Sequence, residues 1–113
     1  MPKHSPNLDR IFHALADPTR RAVLARLSKG PAAVTELAEP FDMALPSFAQ
    51  HLKVLEHSGL ILSRKDGRVR TVELAPQALR HAEDWMADRR AVWERRLDQL
   101  DAFLLQMKKE RKR

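Results

Sequence analysis

The chain has no cysteine among its 113 residues, which excludes disulfides, thiolate metal sites and thiol redox switches. Glycine is nearly as scarce. Gly30, Gly59 and Gly67 are the full complement, and each falls where a helix end or a turn would use it. None is left for a phosphate-cradling loop or a dinucleotide fingerprint. No nucleophile elbow is present, and no two acids read as a general acid and base, so an enzyme is not expected. No run approaches the roughly 18 apolar residues of a membrane span. The opening MPKHSPNLDR has no apolar secretory core, so the expectation is a cytoplasmic protein without a membrane partner.

What the chain does have is positive charge. Lysine and arginine number 21 against 15 acids, a formal charge of +6, and such an excess favours polyanionic partners. Charge of this size also serves solubility alone, so its placement matters more than its sum. Charged residues at 32% and hydrophobic ones at 43% suit a folded chain. The length suits one domain, close to the size at which association helps stability.

After a short flexible lead over residues 1–7, NLDRIFHALAD sets Leu8, Ile11, Phe12 and Leu15 at helical spacing and predicts a first helix. Asp17-Pro18 restarts the chain, because Asp caps a helix well and Pro is best tolerated in its first turn. The second helix turns Val23, Leu24 and Leu27 inward and stops at SKGP. AAVTELAEPF reads as a third, short helix that ends or kinks at Pro40. MALPSFAQHLKVLEHSGLI supplies the fourth, with Leu45, Phe48, Leu52 and Leu55 on its core face and Ser58-Gly59 closing it. At about 100° per residue, Ser47, Gln50, Val54 and His57 fall on the opposite side.

The texture then changes. LILSRKDGRVRTVELA holds two strand-like runs, around 61–65 and 69–74, joined through Asp66-Gly67, a strong hairpin signal. Arg64, Lys65, Arg68 and Arg70 crowd the tip. From Pro76 onward one long helix is expected, with Leu79, Met86, Trp93, Leu100 and Met107 recurring every seven residues. About 30 helical residues span ~45 Å, more than one small domain covers, so part of this stripe should meet another chain.

Short helices, a glycine-terminated helix and a charged hairpin, in this order, make a winged helix-turn-helix: mainly α with a small β-hairpin. Such modules lay the second helix of the pair in the major groove. There Gln can bond adenine, Ser can meet several bases and Lys can neutralise phosphate. Three segments carry a more specific likeness. ALADPTRRAVLARL, VTELAEPFDMALPSFAQHLKVLEHSGLI and RKDGRVRTVEL, over roughly residues 8–75, resemble the ArsR family of bacterial transcription regulators, and the long closing helix agrees in kind.

The resemblance implies a symmetric homodimer built from the first and last helices. It implies binding to a partly palindromic operator in double-stranded DNA and repression of transcription. The recognition helix would be 45–58 and the wing 63–74, within a DNA-binding domain over 8–75. A dimerisation helix over 76–108 and a basic tail over 109–113 would follow. Carried over by position, Ser47, Gln50, His51 and Lys53 would meet DNA from the helix, and Arg64, Lys65, Arg68 and Arg70 from the wing. Leu8, Ile11 and Phe12, with Trp85, Met86, Trp93, Leu97, Leu100, Phe103 and Leu104, would form the dimer interface. The family commonly has Ser or Thr capping the recognition helix and Ser within it, where this chain has Ala44 and Ala49. Losing a cap can cost ~1 kcal/mol, so Asp42 or the turn is expected to compensate.

The family's metal sensors use cysteines, absent here, or His and acid clusters in the last helix. This chain has His81, Glu83 and Asp84 there but no second histidine in that helix, and a metal site needs converging ligands. Neither metal nor cofactor is expected. His51 lies between the core and outer faces, where it suits either a local bond or DNA. Arg20 and Arg21 are expected to stabilise their helix start or its contacts, with a phosphate contact as the alternative. Two further readings stand beside repression. One is a protein-interaction module of the same fold with no specific operator. The other adds a small-molecule effector held near Trp85 and Trp93, eight apart on nearly one face.

Overall fold

A computed structural model describes residues 6–111. α1 (Pro6–Leu15) and α2 (Pro18–Leu27) are separated by a sharp elbow at Ala16-Asp17. Asp17 is extended there, and its carboxylate accepts the Arg20 backbone N–H at 3.1 Å, closing the first turn of α2 as an N-cap should. A two-residue strand, β1 (Ala32–Ala33), leads into α3 (Val34–Ala38), and α4 (Leu45–His57) follows. The hairpin is β2 (Ile61–Asp66) and β3 (Val69–Leu74), after which α5 runs from Pro76 to Arg111.

The sheet has three antiparallel strands in the order β1-β3-β2. The third helix was expected to begin at the alanines. Instead Ala32 pairs with Val72 and Ala33 with Thr71, so these alanines occupy the free edge of β3 and only Val34 starts the helix. At the hairpin tip Gly67 has φ +66 while Arg68 keeps a negative φ, the sign pattern of a type II′ turn.

The core lies within the unit that ends at Ala82. Ile11 and Ala14 of α1, Val23 and Leu27 of α2, Leu37 of α3 and Phe48, Leu52 and Leu55 of α4 close over Leu60, Ile61 and Val72. Three expectations shift. Ile11, expected at the dimer surface, is fully enclosed in this core (0% exposed), while its neighbours Leu8 and Phe12 pack at the margin. Leu45 is 58% exposed, because it stands one turn beyond Phe48 and past the edge of the core. Val54, expected outside, is half-buried and packs against the core.

Of the expected N-terminal lead, Pro6 and Asn7 are already helical, and residues 1–5 lie outside the described residues. Of the basic tail, Lys109–Arg111 continue α5, and 112–113 lie outside.

The second unit begins at Glu83 and is, among the described residues, the remainder of α5. Trp93, Leu97, Leu100, Phe103 and Leu104 are exposed along it, Trp93 to 69%. The Arg89 guanidinium sits 5.8 Å from the Trp85 ring centroid, a cation–π distance.

Candidate nucleic-acid interface

Everything that could meet a ligand on α4 follows from which way its core residues face. Phe48, Leu52 and Leu55 are buried, and Phe48 is held further by the Phe41 ring at 5.4 Å. That fixes the helix roll and leaves Ser47, Gln50 and Lys53 exposed on the outer side. The start of the helix is bare. Ala44 makes no side-chain cap bond and Pro46 stands in the first turn. Among the described residues Asp42 makes no hydrogen bond to the helix start, so it does not replace the cap; the backbone bond from Phe48 N–H to Ala44 O at 3.1 Å closes this turn. The remaining amide N–H groups of the first turn are open to an outside acceptor.

The hairpin stands beside this helix. Ile61, Ser63 and Lys65 share a strand face with their partners Leu74, Val72 and Arg70, since residues opposite one another point the same way. Ile61 and Val72 pack into the core at the base of that face, so Lys65 and Arg70 emerge on the same side at its tip. Ser63 Oγ donates to Glu56 Oε1 at 2.7 Å, pinning the wing to α4. Between them lies a hollow of about 240 Å³ lined by Ala49, Lys53, Glu56, Ser63 and Arg70. The small Ala49 leaves this floor open. Arg64 points from the opposite strand face, and Arg68 sits in the turn.

Among the described residues the one Lys/Arg–carboxylate ion pair is Arg26–Glu36 at 3.9 Å, and Asp17 Oδ2 lies 3.7 Å from His51 Nδ1. The four wing cations and Lys53 therefore have no carboxylate within 4.0 Å, and their charge is turned outward without local neutralisation. On the other flank of α4 an open groove of about 500 Å³ is lined by Arg10, His13, Lys53 and His57. Sequence reasoning missed Arg10 and His13. They are three apart and so adjacent on one face of α1, but nothing in the sequence says that this face borders α4.

His51 stands at the edge of the outer face, its side chain 23% exposed. Its Nδ1 lies 3.1 Å from Arg20 Nη1. The Arg20 side chain is buried among backbone carbonyls. Nε donates to Ala14 O at 2.8 Å and Nη2 to His13 O at 2.9 Å. One guanidinium thus ties the end of α1, the start of α2 and the middle of α4. Beside it, the Arg20 backbone N–H holds the Asp17 carboxyl below its ordinary value of 3.8; burial opposes this, and neighbouring positive charge adds a lesser lowering.

The chain matches the family model described as a helix-turn-helix domain over residues 15–64. It is 46% identical over 71 residues to the HTH-type transcriptional regulator Rv2034 of Mycobacterium tuberculosis, covering 63% of this chain and 66%, just under two thirds, of that relative. It is 30% identical over 79 residues to the transcriptional repressor SdpR of Bacillus subtilis, covering 70% of this chain and 88% of the repressor. The solved structure of an ArsR family transcriptional regulator shares 54% identity at a TM-score of 0.78, covering 83% of this chain and 97% of that one. The chain belongs to the ArsR family of transcriptional regulators.

In this ArsR-family chain the winged helix-turn-helix is complete: α3 and α4 form the pair, and β2-β3 the wing. The relatives matched are regulators of transcription rather than enzymes. No helix among the described residues is long and apolar enough to cross a membrane. Nor do three or more His, Asp or Glu side chains converge among the described residues.

Proposed function

We propose that this regulator is a cytoplasmic homodimeric repressor. Each protomer sets α4 into the major groove, with half-sites about one helical turn apart in a partly palindromic operator. Ser47 and Gln50 meet base edges from the crest of the helix. His51 and Lys53 serve its borders, and Arg64, Lys65, Arg68 and Arg70 meet phosphates from the wing. The observation that carries the reading is the pairing of an exposed polar helix face with adjacent cations that no carboxylate neutralises. Such charge supplies the sequence-independent part of affinity, while the helix face supplies discrimination. The exposed stripe along α5 supports assembly through that helix. The repressor assignment is supported by similarity to a repressor.

Fluorescence anisotropy against the protein's own upstream DNA and a scrambled duplex, at two salt concentrations, tests this directly. Tighter binding to the upstream duplex that survives added salt is the expected result. Equal, salt-sensitive binding to both would remove the specific-operator reading. Binding to neither duplex, with a protein partner co-purifying, would favour the interaction module instead.

A further inference from the structure

Arg20 is 8% exposed and nonetheless touches the recognition helix. Its contact with His51 has a chemical consequence. Arginine only donates hydrogen bonds, so the 3.1 Å contact from Nη1 to Nδ1 requires Nδ1 to accept. A neutral imidazole that accepts at Nδ1 carries its proton at Nε2. Asp17 Oδ2, 3.7 Å from the same Nδ1, would favour the opposite arrangement, but it lies beyond hydrogen-bond distance and is already engaged at the Arg20 backbone N–H.

The other nitrogen is left for something else. Among the described residues Nε2 has no hydrogen-bond partner, and no partnerless polar side-chain atom is buried, so Nε2 reaches solvent. With Phe48 facing the core, a turn of about 100° per residue puts Gln50 about 200° round the helix and His51 about 300°. His51 is therefore at the rim, where a groove-bound helix passes the DNA backbone rather than the base edges. A fixed N–H at that rim matches a phosphate oxygen, which accepts without regard to sequence.

We propose that Arg20 is a positioning residue for DNA binding: it holds His51 in the Nε2–H tautomer and so presents that N–H to a backbone phosphate. This rests on the DNA-reading function above. It gives both imidazole nitrogens a task, one inward and one outward, where sequence alone leaves two alternative uses.

The test uses the full chain and separates the two nitrogens. Long-range ¹H–¹⁵N spectra of the free protein at neutral pH should show His51 protonated at Nε2; a proton on Nδ1, or an even mixture, overturns the proposal. Arg20→Lys, which cannot span two carbonyls and the ring together, should release His51 into a mixture of tautomers. A folded Arg20→Lys protein that keeps the single Nε2–H form overturns the positioning role.

Should Arg20→Lys not fold, a second pair of variants leaves Arg20 in place. His51→Gln keeps a donor near the position of Nε2, whereas His51→Asn reaches only the position of Nδ1. His51→Asn should weaken binding about tenfold, the worth of one charge-assisted hydrogen bond. The loss should be equal on the upstream and scrambled duplexes, and His51→Gln should recover most of it. Two outcomes overturn the phosphate contact: a loss confined to the upstream duplex, which marks a base contact, or wild-type affinity in His51→Asn. If the unaltered protein binds neither duplex, the DNA-reading function falls as well; if it binds and His51→Asn binds equally, only the present proposal falls.

Discussion

Asp17 shows how much one side chain can carry at this elbow. Its carboxylate closes the first turn of α2 and lies beside His51 and Arg20, contacts that lower its pKa from 3.8. A carboxyl whose folded value is depressed stabilises the protein above its unfolded value and loses that contribution as pH falls through the folded one. Stability should therefore decline from about pH 3.8 downward. Asp17→Asn, which keeps a good cap but cannot ionise, should show a shallower decline in acid urea titrations. At the outer face the predictions separate by role. Gln50→Ala should cost about 1–3 kcal/mol of discrimination between upstream and scrambled duplexes. Arg68→Ala should weaken both about equally and lower the salt slope by roughly one phosphate. Equal loss on both duplexes for Gln50→Ala would remove it from the base-reading set. The outward direction of Gln50 was legible because helical period supplies it. The Arg20–His51 bond joins residues 31 apart in sequence, and no local pattern encodes such a pairing.

Helices and hairpin were legible for the same local reason: Asp17-Pro18, Ser58-Gly59 and Asp66-Gly67 punctuate them through backbone preferences that need no tertiary context. β1 was not. Two alanines carry no alternation, and they become a strand only because β3 offers an open edge. Leu45 and Val54 were misjudged because period gives the direction of a face but not where a neighbouring helix ends. Two measurements belong to α4 as an element. Phe48→Ala should cost about 3–5 kcal/mol in urea unfolding, since the ring is wholly enclosed and packed on Phe41. Ala44→Ser should supply the missing cap and add about 1 kcal/mol. The same hydroxyl would occupy first-turn N–H groups that are open now, so a gain in stability with unchanged DNA affinity would show that those groups play no part in binding.

At the scale of the whole molecule, the family was legible because its motifs are contiguous and correctly ordered, whereas assembly was legible only as a stripe without a partner. Ile11 marks that limit. It shares a helical face with Leu8 and Phe12 in sequence, yet it is spent inside the chain's own core. Trp93→Lys, with Leu97→Lys as its companion, should place charge in the α5 stripe, shift the protein to a monomer in sedimentation, and weaken operator binding. A dimer that survives both changes would move the interface elsewhere. The exposed leucines and aromatics of α5 also bear on how such a regulator would behave in a cell. If two chains must meet before an operator can be gripped, occupancy at low abundance rises with the square of the amount made. Halving synthesis would then cut repression about fourfold, and growth and dilution alone could open the promoter without any signal molecule.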